Sequence, residues 1–289
     1  MVVTATRAPA APGRAMKVLL FTGLGALFFS YYWDDNFDPA SLQGARVLLT
    51  GASAGVGEEL AYHYARLGSH LVLTAHTEAL LQKGRGLFGP RGGASRTSSL
   101  LMGLSGPGGL DYLVLNHLGA TPAGSRSRSV QATRWLMQVN FLSYVQLTSL
   151  ALPSLTDSKG SLVVVSSLLG QVPTSFSRPY SAAKFALDGF FGSLRRELDV
   201  QDVNVAITMC VLGLRDRASP AEGVRGVTRA KAAPGPKAAL AVIRGGATRA
   251  PGVFYPWRFR LLCLLRGWLP HPRAWFIRQE LNVTAAAAA

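Results

Sequence analysis

Residues 45–68 read ARVLLTGASAGVGEELAYHYARLG, and this stretch decides the fold. Residues 45–50 make a short apolar run of the kind a buried parallel strand shows. The run meets Gly51-Ala52-Ser53-Ala54-Gly55-Val56-Gly57, then a helical pattern that reaches Leu67 with Gly68 as its stop. Strand, glycine-rich turn and helix together form a place for phosphate. Glycines let the backbone approach a pyrophosphate closely, and the helix amino terminus offers unpaired N–H groups and a positive dipole end. Taken alone, the stretch also fits a glycine loop that merely turns the chain.

Working outward, apolar runs alternate with helical periods. Residues 69–74 (SHLVLT) supply a second strand, and 110–117 (LDYLVLNH) another that ends in polar groups. A helical pattern covers 129–152 through Trp135, Val139, Leu142 and Val145, with Asn140 in its middle. Asparagine is a poor interior helix former, so it signals a polar task. Residues 161–167 (SLVVVSS) form a strand ending in two serines, and a helix bearing Tyr180 and Lys184 runs on to 197. Residues 203–210 and 252–256 read as the last strands. The alternation predicts an α/β fold, a doubly wound parallel sheet with helices on both faces.

Tyr180 and Lys184 stand four positions apart on one helix, so they share a face. A nearby ammonium favours the phenolate and lowers a tyrosine's pKa from about 10. That suits a general acid/base for carbonyl–alcohol interconversion.

The totals narrow the classes. The chain has 289 residues, 48% of them apolar, enough for a real core. Cys210 and Cys263 are its two cysteines, and neither sits in a CxxC or Cys/His cluster, so neither a disulfide framework nor a metal site is expected. Net charge is +15, from 30 Lys+Arg against 15 Asp+Glu. The arginines are scattered or sit among tail aromatics, and no nucleic-acid motif accompanies them, so nucleic acid is not expected as a partner.

The spacing T-G-x-x-x-G-x-G over Thr50–Gly57, with Asn116, Asn140, a serine thirteen residues before Tyr180, and Y-x-x-x-K, resembles the short-chain dehydrogenase/reductase family. The stretches LQGARVLLTGASAGVG, LVLNH, MQVNFLSYVQLT, YSAAKFALDGFFGSLRRE and ITMCVLGLRD resemble its 11-beta-hydroxysteroid dehydrogenase branch. The resemblance implies a Rossmann-type sheet. It also implies Tyr180 as acid/base, Lys184 tuning it and holding the nicotinamide ribose, Ser167 orienting the substrate oxygen, and Asn140 completing a water relay. Ser167 and Tyr180 would touch the substrate, a steroid-like or other lipophilic alcohol or ketone. The cofactor would lie against Gly51, Ala52, Ser53, Gly55, Val56, Gly57, His76, Thr77, Asn116, His117, Leu118, Tyr180, Lys184, Leu214 and Arg215. The second strand ends Thr74-Ala75-His76-Thr77 with no acid until Glu78. An acid there would bind the ribose hydroxyls of NAD, so its absence tilts the expectation to NADP(H). His76 is the one nearby candidate for the extra phosphate.

Residues 84–109 break the pattern. They carry nine glycines and two prolines with no sustained period. The family places a helix, an edge strand and another helix between the second strand and the Asn116 strand. The sequence predicts that this edge strand is missing and a flexible connector replaces it. No aspartate occurs between His76 and Leu110, so the family's aspartate near the adenine has no counterpart. A membrane-associated pseudoenzyme or scaffold with impaired cofactor binding is therefore the alternative to the enzyme.

The expected organisation is a leader (1–15), an anchor or signal segment (16–33), the dehydrogenase domain (40–256) with its irregular connector (84–109), and an amphipathic tail (257–289). VLLFTGLGALFFSYYW, residues 18–33, is an unbroken apolar run with positive charge before it and Asp34, Asp35 and Asp38 after it. That asymmetry predicts an anchor in the endoplasmic reticulum membrane with the body in the lumen. Secretion after signal cleavage is the alternative, though no A-x-A spacing marks a cleavage site; a mitochondrial leader is a weaker third. The Asn282-Val283-Thr284 sequon agrees with luminal exposure. Tail arginines interleaved with tryptophans suit a membrane interface, a homodimer contact or a lid over an apolar cleft.

Overall fold

The computed structural model describes residues 18–26, 37–53, 55–74, 109–119, 130–172, 178–213 and 235–265. The chain divides into two units, Met1–Phe37 and Asp38–Ala289. In the first, residues 18–26 are helical, with Val18, Leu19, Leu20 and Phe21 exposed. The Thr22 hydroxyl donates to the Val18 carbonyl at 2.8 Å. Among the described residues no helix is long and apolar enough to cross a membrane. The rest of the predicted segment 16–33, the leader and most of the tail lie outside the described residues.

The second unit is a six-stranded parallel sheet with helices on both faces. Its strands are β1 (Arg46–Thr50), β2 (His70–Thr74), β3 (Tyr112–Leu115), β4 (Ser161–Ser167), β5 (Ala206–Leu212) and β6 (Gly252–Tyr255), in the order β2-β1-β3-β4-β5-β6. The helices are α1 (Val56–Arg66), α2 (Val130–Met137), α3 (Ser143–Asp157), α4 (Arg178–Val200), α5 (Gly235–Ala247) and α6 (Arg258–Leu265). β2 ends the sheet as described; the connector 84–109, and with it the expected loss of an edge strand, lies outside the described residues.

Burial on both faces explains why the strands read as unbroken apolar runs. Leu113, Leu115, Leu162, Val164, Ile207 and Met209 meet Tyr144, Ala151 and Leu155 of α3 and Leu187, Phe191 and Leu198 of α4. On the opposite face α5 lies against β4, β5 and β6 and packs beside α1. Each large apolar side chain so buried contributes roughly 1.5–3 kcal/mol.

Several boundaries differ from expectation for local reasons. The helix predicted over 129–152 is α2, a π-turn at Gln138–Leu142, and α3, which runs past Pro153 to Asp157. Pro153 and Ser149 are both exposed, so water can serve the carbonyl that the missing N–H leaves. The helix expected to stop at 197 reaches Val200. The strand placed at 203–210 is Ala206–Leu212, because its pairing begins where β4 begins, Ser161 opposite Ala206.

Two arginines lock the frame. Arg46, at the amino end of β1, grips Asp111 with Nε and Nη2, each at 2.9 Å, while its backbone N–H donates to the same carboxylate at 2.8 Å. Arg195 Nη2 of α4 donates to the Ile207 carbonyl at 2.6 Å and the Pro251 carbonyl at 2.7 Å, which fixes the helix carrying Tyr180 and Lys184.

Candidate active site

Going from β1 to β2 the chain moves one way across the sheet, and going to β3 it crosses back to the other side of β1. Such a switch leaves a crevice at the carboxyl ends of the strands, where ligands of open α/β sheets bind. Thr50 and Asn116 stand on its two sides. The Asn116 N–H donates to Thr50 Oγ1 at 2.9 Å, and Asn116 Nδ2 donates to the Gly51 carbonyl at 3.1 Å. The Ala52 N–H reaches the Thr74 carbonyl at 3.1 Å, tying the turn to β2 as well.

The glycines of this turn are required by contact. Gly51 has φ +67°, and a Cβ there would come within 2.6 Å of His117 Cα. A Cβ on Gly57 would strike the Gly51 carbonyl oxygen and lie 2.6 Å from Asn116 Nδ2. Gly55 precedes α1 with φ 59° and ψ −132°, and among the described residues no side chain caps the helix. The first-turn N–H groups of α1 therefore stay available to an anion. Glu58 and Glu59 occupy the same turn; Glu58 is exposed and Glu59 half-buried, so solvent screens both. The donor set fits a dinucleotide's pyrophosphate. Ala52 and Val56 are buried beneath this turn, Ser53 is half-buried, and Leu118 is exposed at the crevice.

Asn140 lies in the π-turn and is fully buried. Its Nδ2 donates to the Gly119 carbonyl and its Oδ1 accepts the Gly119 N–H, both at 2.8 Å. The polar task inferred from an asparagine in mid-helix is thus a hold on the loop that follows β3.

Ser167 ends β4, where its Oγ accepts the Leu169 N–H at 3.3 Å. Tyr180 occupies the first turn of α4 and is half-buried. Lys184, one turn on, is fully buried. Its Nζ lies 3.4 Å from the Val165 carbonyl oxygen and 4.9 Å from the centre of the Tyr144 ring. A carbonyl and an aromatic face are both partners a buried ammonium needs. Gly170 makes room for this arrangement: a Cβ there would fall 2.8 Å from the Lys184 carbonyl oxygen.

The structure therefore brings Gly51, Gly55, Gly57, Asn116, His117, Asn140, Ser167, Tyr180 and Lys184 to the carboxyl ends of β1, β3 and β4 and the elements beside them. His76, Thr77, Leu214 and Arg215 lie outside the described residues. Sequence reasoning missed Thr50 as the hub of the crevice, Ser143 and Tyr144 as partners of His117, and Gly170 beneath Lys184. Thr50 had a signal, as the polar end of an apolar strand; the others had none short of the fold.

Residues 102–215 match the profile of the family described as short chain dehydrogenase. The chain is 81% identical over 288 residues to the hydroxysteroid 11-beta-dehydrogenase 1-like protein of Macaca fascicularis, an alignment covering 95% of this chain and 100% of the relative. It is 78% identical over 227 residues to the protein of that name from Homo sapiens, covering 74% of this chain and 72% of the relative. A short chain dehydrogenase from Salmonella enterica serovar Typhi superposes with a TM-score of 0.54 at 26% identity, over 62% of this chain and 79% of that one. The chain belongs to the short-chain dehydrogenase/reductase family, in its 11-beta-hydroxysteroid dehydrogenase branch. Proteins of this family are oxidoreductases that use a nicotinamide cofactor, NAD or NADP.

Proposed function

We propose that this protein is an NADP(H)-dependent oxidoreductase that interconverts a hydroxyl and a ketone on a steroid-like or other lipophilic substrate. The observation that carries this reading is Lys184, fully buried one helical turn from Tyr180, on the helix beside the carboxyl end of β4. In reduction the Tyr180 phenol gives its proton to the substrate oxygen; in oxidation the phenolate takes it. Lys184 places a positive charge one helical turn from that phenol, on the side where the nicotinamide ribose would lie. Ser167, with its hydroxyl proton uncommitted among the described residues, donates to the same oxygen. The Asn140 carboxamide is spent on Gly119, so in this reading the part of Asn140 in the water relay falls to its own backbone carbonyl. The nicotinamide, when bound, supplies or accepts the hydride.

Choice of NADP(H) rests on the missing acid after β2, with His76 and Thr77 in its place. A lipophilic substrate is favoured by the relatives' printed name. Residues 40–256 form the catalytic domain in this reading. Residues 16–33 anchor it in the endoplasmic reticulum membrane with the domain in the lumen, or are cleaved before secretion. The tail 257–289 adds a membrane or homodimer contact.

The test is turnover by purified full-length protein with NADPH and a panel of ketosteroids, each run beside Tyr180→Phe. NADPH consumption matched by alcohol formation, lost in the variant, supports the reading. Turnover that survives Tyr180→Phe contradicts it.

A further inference from the structure

His117 lies between the turn that follows β1 and the helix that carries Asn140, and both its ring nitrogens are engaged. Nδ1 is 2.8 Å from Thr50 Oγ1, and Nε2 is 2.6 Å from Ser143 Oγ. Hydroxyl protons settle which nitrogen bears the hydrogen. Ser143 gives its O–H to the Val139 carbonyl at 2.6 Å, and a carbonyl only accepts. Ser143 Oγ has lone pairs alone left for His117, so Nε2 carries the proton and donates. In the neutral ring Nδ1 is then an acceptor. Thr50 Oγ1 accepts the Asn116 N–H, and its own proton has two takers, the Val114 carbonyl at 3.3 Å and Nδ1 at 2.8 Å. The shorter contact wins. The result is a chain running one way: Thr50 O–H to Nδ1, Nε2–H to Ser143 Oγ, Ser143 O–H to the Val139 carbonyl.

The far end of that chain is the π-turn. The Ser143 amide bonds the Gln138 carbonyl, five residues back, where an α-helix would use Val139. The Ser143 hydroxyl takes the Val139 carbonyl instead. His117 also accepts the Tyr144 O–H on its backbone carbonyl at 2.7 Å. Its ring lies 4.4 Å from the Tyr144 ring, the same ring that faces the Lys184 ammonium.

We infer that His117, held as the Nε2–H tautomer, is a positioning residue that ties the cofactor-side turn to the π-turn of Asn140 and to the aromatic face under Lys184. Its effect on turnover rests on the oxidoreductase reading; its tautomer and its bond to Ser143 do not.

The first test is spectroscopic. Full-length protein labelled with nitrogen-15 histidine is compared with Ser143→Ala and His117→Gln by two-bond proton–nitrogen correlation. The expected result is one histidine, lost in His117→Gln, in the Nε2–H form with a slowly exchanging proton that Ser143→Ala makes fast. An Nδ1–H form, or a proton indifferent to Ser143→Ala, overturns the inference. The second test is kinetic. Glutamine can place an amide donor near Nε2, whereas asparagine reaches only the Nδ1 position. Ser143→Ala, which lies outside the predicted cofactor contacts, should lower kcat by about tenfold while KM for NADPH stays within about twofold, and His117→Asn should lower kcat as far. The double variant should be no worse than either single one, and His117→Gln should recover to within about threefold of wild type. Losses that add, or glutamine as poor as asparagine, overturn the positioning role. Wild-type protein that turns over no ketosteroid would refute the proposed substrate class, with the spectroscopic arm still deciding the tautomer.

Discussion

The carboxamide of Asn140 and the backbone of Gly119 hold each other through two hydrogen bonds of 2.8 Å. One buried side chain thereby satisfies a donor and an acceptor of the loop that borders the crevice. Asn140→Ala leaves both Gly119 groups unpaired and should lower stability by roughly 2–4 kcal/mol. Urea unfolding measures this, and kcat should fall with it. Asn140→Asp tests the donor separately, because it sets an oxygen against the Gly119 carbonyl.

Gly170 and Lys184 touch backbone to backbone. A Cβ at Gly170 would lie 2.8 Å from the Lys184 carbonyl oxygen and 2.9 Å from its Cβ, so Gly170→Ala must push α4 outward. Overpacking of this kind costs about 1–3 kcal/mol. Since the displaced turn carries Lys184, kcat should fall more than stability alone explains, as measured at a temperature where the variant stays folded.

Tyr64 is wholly buried on α1, and among the described residues its hydroxyl has no hydrogen-bond partner. Burial drives the phenol's pKa far upward, so the group stays neutral at any working pH. Tyr64→Phe removes an unpaired polar atom and keeps the ring. The expected result is equal or greater stability, by up to about 1–2 kcal/mol, seen as a higher urea midpoint.

Asp111 links acid sensitivity to the amino end of the sheet. Partial burial pushes its pKa up, but the Arg46 guanidinium, the Arg46 amide and the attraction of opposite charges outweigh this and hold it below its ordinary 3.8. A carboxylate depressed in the folded state contributes stability above its unfolded pKa and loses it as pH falls through the folded value. This contribution to wild-type stability should therefore fade as pH falls below about 4. Asp111→Asn should lose about 1–3 kcal/mol near pH 7 and show a shallower acid limb. Denaturation midpoints against pH give both.

Much of this was legible in the sequence because periodicity reports burial. The β1 run, the glycine turn and α1 announce themselves, since a strand buried on both faces cannot hide its apolar character. Tyr180 and Lys184 are legible for the same reason that helices are: a spacing of four fixes a shared face. What stayed hidden depends on partners far apart in the chain. The π-turn at Gln138–Leu142 leaves no mark on a helical period, and only the meeting of His117 with Ser143 shows its purpose. α5 was missed because GPKAALAVIRGGA opens and closes on residues that read as loop. Its two late glycines are packing surface: a Cβ on Gly246 would come within 2.7 Å of Val163.

Cofactor titration tests the oxidoreductase reading most directly. Purified protein is titrated with NADPH and with NADH, following nucleotide fluorescence and melting temperature, beside Gly57→Ala, in which a Cβ meets the Gly51 carbonyl. Saturable NADPH binding should stabilise the wild type, by about 2.7 kcal/mol at a hundredfold excess over Kd, with NADH weaker and Gly57→Ala impaired. No response to either nucleotide at millimolar concentration would contradict it, leaving a dehydrogenase fold that does no redox chemistry.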